Sequence, residues 1–268
     1  MFVRIGKCKM KVTVLVENTS VNEELQSEHG LSLYIETEEH KILFDMGQTD
    51  LFAKNAKKLG IDLSEVDIAI LSHGHYDHGG GLKTFLEINK KASIYISKYA
   101  FEPHYNGTEK YIGLDVSLRE SERLMYTDEV VEIAKGLTLY HCNDRVQSYD
   151  LGSFGLNKMI EDRFGPDDFL HEQYLYMEEQ GKRVLISGCS HKGILNIVEW
   201  FKPDVLVGGF HFSKLPLDET LEGYAKLLDE FHTTYYTCHC TGETQYQFMK
   251  NWMRRLSYVS AGDVVTIT

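Results

Sequence analysis

The stretch Ile70-Leu71-Ser72-His73-Gly74-His75-Tyr76-Asp77-His78-Gly79-Gly80-Gly81 packs three imidazoles and one carboxylate into six positions, between an apolar run and three glycines. Side chains two apart in an extended segment point to one side. His73 and His75 can therefore grip one metal ion while Asp77 and His78 face a neighbouring one. A lone histidine is usually an ordinary polar residue, and this chain holds 12. Four ligand-type side chains in a glycine-rich turn after a buried strand read instead as a metal loop.

Such a loop needs a rigid frame, and the hydrophobic periodicity supplies one. Residues 66–71 form a nearly continuous apolar run, as expected of a strand covered on both faces, and residues 81–89 read as the helix that follows. Upstream, residues 11–17 alternate as a strand, 31–36 and 41–45 read as a hairpin, and 50–59 as a helix. Residues 92–97 are the next strand. In the second half, strands are expected at 173–178, 183–187, 205–207, 233–237 and 263–268, with helices at about 192–201, 217–231 and 244–256. Strand, loop, helix and strand in alternation imply layered α/β packing.

Between these halves, residues 99–170 lose periodicity. The region carries Tyr99, Tyr105, Tyr111, Tyr126, Phe154, Phe164 and Phe169, with a helix-like piece around 118–125 and a strand pair near 130–141. An aromatic-rich insertion beside a metal loop is a candidate substrate lid. At 268 residues with four dispersed prolines and no linker, the chain reads as one domain, 1–268, with this insertion.

Composition narrows the partners. Forty acidic against 28 basic residues give a formal charge of −12 with no basic stripe, which opposes a nucleic-acid partner. No apolar run approaches the ~20 residues needed to span a bilayer, and residues 1–16 lack the pattern of a signal peptide, so no membrane partner and a cytoplasmic location are expected. Cys8, Cys142, Cys189, Cys238 and Cys240 are odd in number and have no framework spacing, which fits a reducing compartment. A homodimer is the default expectation for assembly.

Two metals need ligands beyond one loop, and the second half should supply them at strand ends. Gly188-Cys189-Ser190-His191, Gly208-Gly209-Phe210-His211 and Cys238-His239-Cys240-Thr241-Gly242 each follow an expected strand. His191 is assigned to the His73/His75 ion and His239 to the Asp77/His78 ion. Alternation in a strand would send Cys238 and Cys240 to one face and His239 to the other, so the thiols or the imidazole should bind, but not all three. His211 is a ligand, a general acid or a polar loop holder; the two preceding glycines allow a close approach to the site. His29, His40, His104, His141, His171 and His232 lack this context and are treated as structural, with His171 the least secure because it lies where the insertion rejoins the sheet.

His73-x-His75-x-Asp77-His78 resembles the signature of the metallo-β-lactamase superfamily. The resemblance implies an αββα sandwich with a one- or two-metal site at one edge. It also implies that Asp45 is the aspartate at the end of the early hairpin, accepting a hydrogen bond from a ligand histidine. Where many members carry a metal-bridging aspartate, this chain has Gly188-Cys189-Ser190. Cys189 is therefore either a bridging thiolate or a buried structural thiol, the second being favoured. The motifs Leu43-Phe44-Asp45-Met46-Gly47, Glu172-Gln173, Gly188-Cys189-Ser190-His191-Lys192-Gly193 and His239-Cys240-Thr241-Gly242 resemble the branch that includes the dihydropterin-type synthases.

The expected activity is hydrolysis of an ester, lactone, thioester, amide or phosphoester-type small molecule by a metal-bound hydroxide. Asp77 would orient that hydroxide, and His211 would protonate the leaving group. Two divalent ions are expected, zinc first, with iron, manganese or nickel as alternatives. A dihydropterin-type transferase, a mono-iron dioxygenase and a metal-binding module without turnover are the rival readings.

Overall fold

The computed structural model describes residues 9–179 and 181–268. Cys8 and the first part of the amino-terminal segment lie outside these residues. The chain opens with the antiparallel strands β1 (Met10–Val16), β2 (Ser32–Glu36) and β3 (Lys41–Phe44), followed by helix α1 (Leu51–Lys58). Strand β4 (Ile68–Ile70), short helices α2 (Tyr76–Gly79) and α3 (Leu82–Ile88), and strand β5 (Ser93–Ser97) continue it. Strands β6 (His104–Asn106), β7 (Lys110–Tyr111), β8 (Leu124–Thr127), β9 (Val130–Ala134), β10 (Leu137–Tyr140), β11 (Leu156–Ile160) and β12 (Arg163–Pro166) lie in the middle. The second half holds β13 (Tyr174–Glu179), β14 (Lys182–Ile186), α4 (Ile194–Phe201), β15 (Val205–Gly208), α5 (Glu219–Glu230), β16 (Thr234–Thr237), α6 (Glu243–Met249), β17 (Leu256–Tyr258) and β18 (Val264–Ile267).

Two seven-stranded sheets result, ordered β18-β1-β2-β3-β4-β5-β8 and β17-β16-β15-β14-β13-β10-β9. Each combines antiparallel strands with a parallel run: β3, β4, β5 and β8 in the first, β14 to β17 in the second. The inner faces meet in one core, where Val12, Leu33, Phe44 and Ile70 pack with Leu139, Leu175, Ile186 and Val207. Helices cover both outer faces. On the first, Leu51, Phe52 and Ala56 of α1 and Leu82 and Phe85 of α3 share a cluster with Leu43, Ala69 and Ile94. On the second, Ile194, Ile197 and Val198 of α4 pack with Leu185, Leu206 and Leu221. The architecture is the expected αββα sandwich. Burying each such aliphatic or aromatic side chain contributes about 1.5–3 kcal/mol, which makes these layers the main source of stability.

The middle region differs from the expectation of a lid spanning 99–170. Strand β8 is the edge of the first sheet, and β9 and β10 are the edge of the second. Only 104–111 and 156–166 stand apart, as a four-stranded sheet ordered β12-β11-β6-β7. That sheet rests through Ile112 and Leu156 on Phe169 and Tyr76, directly above the metal loop. The helix expected at 118–125 is absent. A 3₁₀ turn at Val116–Leu118, begun by the Asp115 side chain accepting from Ser117 N–H, gives way to β8, whose pairing with β5 overrides local propensity. Likewise α6 stops at Met249, short of the expected 256, and β17 starts at Leu256, where β16 offers it a parallel partner.

Candidate metal centre

The carboxyl ends of β3, β4, β14, β15 and β16 open at one edge of the sandwich, and each is followed by a candidate residue. Asp45 follows β3 and His73 follows β4. Cys189 and His191 follow β14, His211 follows β15 and His239 follows β16. Ends of parallel strands are where α/β sheets place their ligands, because the chain must turn there. Four of these turns put a non-glycine residue in the left-handed region: Asp45 (φ 60°), Ser190 (58°), His211 (56°) and His239 (50°). Strain of this kind persists only where surrounding contacts enforce it.

The metal loop bends at His73 and Gly74, is extended at His75, and α2 then begins at Tyr76. Asp77 and His78 thus sit on a helical turn and not in the continuous extended segment expected from sequence. Gly74 is needed between the first two ligands, since a Cβ there would collide with the Ala100 carbonyl. Gly188 meets the same limit against Ser72.

All the candidate ligands converge. His73 Nε2 lies 3.3 Å from His191 Nε2, and His73, His75 and His191 form one group. His78 Nε2 lies 3.2 Å from both His239 Nε2 and Cys189 Sγ. Asp77 Oδ2 is 3.4 Å from His239 Nε2 and 4.0 Å from His78 Nε2. Two atoms bound to one tetrahedral ion at ~2.0–2.1 Å would be about 3.3–3.4 Å apart, so these spacings match the edges of metal sites. Cys189 is buried and faces His78, and it also groups with His191 and His211. The donor set therefore fits divalent metal, with Cys189 adjoining both groups of candidate ligands.

Hydrogen bonds aim these nitrogens inward. Asp45, fully buried, accepts from Ser72 N–H and Ser72 Oγ at 2.7 Å each and pairs with His78 Nδ1 at 2.7 Å. Ser72 Oγ, having given its proton to Asp45, accepts from His73 Nδ1 at 2.8 Å. His239 Nδ1 bonds Asn18 Oδ1 at 2.8 Å, and Glu17 Oε1 accepts the His239 backbone N–H at 2.6 Å. With the protons on Nδ1, the Nε2 lone pairs of His73, His78 and His239 face the centre. Glu172 accepts the backbone N–H groups of His191 and Lys192 at 2.7 and 3.0 Å, while Phe169 stacks on the His191 ring at 4.5 Å.

Charge states follow from the same packing. Burial holds His73, His75 and His191 below the ordinary imidazole range, in the neutral form that ligates metal. Burial also pushes His78 down, but without a metal ion the Asp45 and Asp77 carboxylates outweigh it and lift His78 to about 9, so a metal at Nε2 would have to displace the proton there. For Asp77, burial favours the acid form, yet His78, His239 and His29 hold it well below the usual carboxylate range. Burial pushes the Cys189 thiol up.

Three features were not legible beforehand. His29 Nε2 sits 3.2 Å from Asp77 Oδ2 and borders the cavity. Cys240 also lines that cavity, whereas Cys238 lies in the inter-sheet core. The alternation expected for Cys238-His239-Cys240 fails because β16 ends at Thr237 and a 3₁₀ turn follows. Finally, His104 and His171 join His75 around the buried carboxylate of Asp167. His104 Nδ1 lies at 2.7 Å from it, His171 Nε2 at 3.4 Å and His75 Nε2 at 3.9 Å.

This quartet is compact enough to suggest a metal site, but its protons argue otherwise. Gly74 N–H donates to His171 Nδ1 at 2.8 Å, which leaves the proton of that neutral ring on Nε2, facing Asp167. Burial would raise the Asp167 pKa, but bonding from His104, His171 and His75 holds it well below the usual range. Asp167 is thus an anionic hub bonded to His104 Nδ1, with His171 Nε2 and His75 Nε2 within 3.9 Å. Asp167→Asn is expected to weaken metal binding roughly 10–100-fold, the cost of losing such an outer carboxylate. Chelator competition measures it; unchanged affinity would mean that the loop alone holds His75.

The sequence matches the family model described as metallo-beta-lactamase superfamily over residues 27–232. The chain belongs to the metallo-beta-lactamase superfamily. It is similar to an uncharacterised protein of Methanocaldococcus jannaschii, 32% identical over 86% of this chain and 90% of the relative. A second relative from that organism is 7,8-dihydropterin-6-methyl-4-(beta-D-ribofuranosyl)-aminobenzene-5'-phosphate synthase, 28% identical over 99% of both chains. Among solved structures, Tm1679, described as a metal-dependent hydrolase of the beta-lactamase superfamily, superposes with a TM-score of 0.83. It is 31% identical, with 97% of this chain and 99% of that one covered. The chain is an enzyme of a metal-dependent superfamily, and no helix among the described residues is long and apolar enough to cross a membrane.

Proposed function

We propose that the protein is a metal-dependent hydrolase that adds water to an ester, lactone, thioester or phosphoester-type small molecule. The observation that carries this reading is the double half-site: His73, His75 and His191 on one side, Asp77, His78 and His239 on the other, with Cys189 adjoining both. Two divalent ions, zinc in the first instance, would supply Lewis-acid activation of water and of the electrophile. Asp77 accepts a hydrogen bond from the attacking water and orients it. Cys189 Sγ stands 3.2 Å from His78 Nε2, where its thiolate would serve as a further ligand. His211 lies beside His191, with ring centroids 4.3 Å apart, and its buried Nδ1 has no partner among the described residues. It is placed to deliver a proton to the leaving group. Ile112 and Leu156 pack with Phe169 and Tyr76 beside the candidate ligands. We place the reaction on a free small molecule, with no nucleic acid or membrane partner.

The second reading is group transfer. The synthase relative aligned over the whole of both chains supports it, because one metal centre can activate a leaving group as readily as a water. Elemental analysis of chelator-free protein, followed by a screen of carboxylic esters, lactones, thioesters and phosphodiesters, tests the proposal. Two ions per chain with turnover of at least one class, abolished by chelator and restored by metal, is the expected result. No turnover of any class by the fully loaded protein would favour transfer over hydrolysis.

A further inference from the structure

The cavity beside the metal ligands measures about 150 Å³, and its non-ligand polar groups are mostly hydrogen-bond donors. Lys110 reaches it from β7 of the small sheet, and Lys214 from the loop after β15, so the two ammonium groups come from separate segments. Asn106 and Ser213 add an amide and a hydroxyl. Asp77 is the one carboxylate among the lining residues, and it is committed to His29 and His239.

Neither lysine is neutralised. Lys110 Nζ contacts Tyr76 Oη at 3.2 Å and lies 5.2 Å above that ring, and Lys214 Nζ donates to the Phe154 carbonyl at 2.9 Å. Among the described residues, no carboxylate lies within 4.0 Å of either Nζ, and both ammonium groups border the cavity that holds the candidate ligands. In a chain of net charge −12, two unpaired ammonium groups at one cavity mark a local reversal of sign. An ammonium resting on a neutral acceptor keeps two further donors for an anion.

We infer that Lys110 and Lys214 form an anion subsite, and that the substrate carries a phosphate or carboxylate group there while its reacting bond lies over His75 and Asp77. This deepens the hydrolase reading and rests on it for the position of the reacting bond. The test uses the metal-loaded protein and calorimetric titration with two probes, inorganic phosphate and succinate, against the wild type and a Lys110→Met/Lys214→Met variant. Both side chains are exposed, so the fold should tolerate the change; a Lys110→Arg/Lys214→Arg variant controls for charge.

The expected result is binding of at least one probe by the wild type, weakened by raised salt, retained by the arginine variant and weakened tenfold or more in the methionine variant. Which probe responds distinguishes phosphate from carboxylate. Equal affinity in the wild type and the methionine variant would mean that the anion is held by the metals alone, and would overturn the subsite, as would no binding of either probe. Calorimetry reads binding without turnover. Lysine-dependent binding in a protein that hydrolyses nothing in the screen removes the hydrolase reading and leaves the subsite standing, whereas turnover with lysine-independent binding does the reverse.

Discussion

The His75→Ala protein is expected to carry fewer metal ions per chain than the wild type, to lose hydrolytic activity and to remain folded. The loss of affinity should exceed the roughly 10–100-fold typical of removing an outer hydrogen-bond partner, because a ligand is lost outright. His75 sits where two systems meet: it groups with His73 and His191 as a candidate ligand and faces Asp167 through Nε2. Its removal therefore also frees the Asp167 hub from the centre. The fold should survive because His75 lies outside the clusters that join the two sheets and their helices. Metal counted by elemental analysis, together with far-ultraviolet circular dichroism, decides the matter. Unchanged stoichiometry in a folded protein would remove His75 from the ligand set.

Asp45→Asn should have a different signature, lowering both metal affinity and stability. The Asp45 carboxylate serves Ser72 N–H, Ser72 Oγ and His78 Nδ1 at once and is fully buried. An amide can satisfy the first but opposes its own N–H groups to the other donors. Breaking such a buried pair costs about 3–5 kcal/mol. Asparagine is the better probe than alanine because Asp45 has φ 60°, a region that asparagine tolerates. Thermal melts of metal-free protein report the packing loss. Chelator competition reports the loss of His78 orientation, and a variant that melts and binds like the wild type would show that Ser72 and His78 are held by other means.

Much of the fold was legible because it is written in local periodicity. The apolar run before His73, the hairpin ending at Asp45 and the strands leading to His191, His211 and His239 were all found where expected, since a strand covered on both faces or alternating in burial leaves its pattern in adjacent residues. The helices expected at 118–125 and 244–256 were misread at their carboxyl ends for the complementary reason, since β8 begins at Leu124 and β17 at Leu256. These strands exist because β5 and β16 offer edges to pair with, and pairing across long separations has no local signature.

The site divides along the same line. His73, His75, Asp77 and His78 announce themselves by spacing within one turn of chain, and the strand-end glycines point to His191, His211 and His239. The sequence by itself determined the candidate metal loop, the layered α/β class and the acidic balance, each of which depends on residue type and near spacing. Tertiary structure alone decided that His104 and His171 gather with His75 around Asp167, that Cys189 lies against His78, and that Lys110 and Lys214 face one cavity with no carboxylate within 4.0 Å of either ammonium among the described residues. These residues come from segments separated by tens of positions, and only the closing of two sheets on each other brings their side chains within reach.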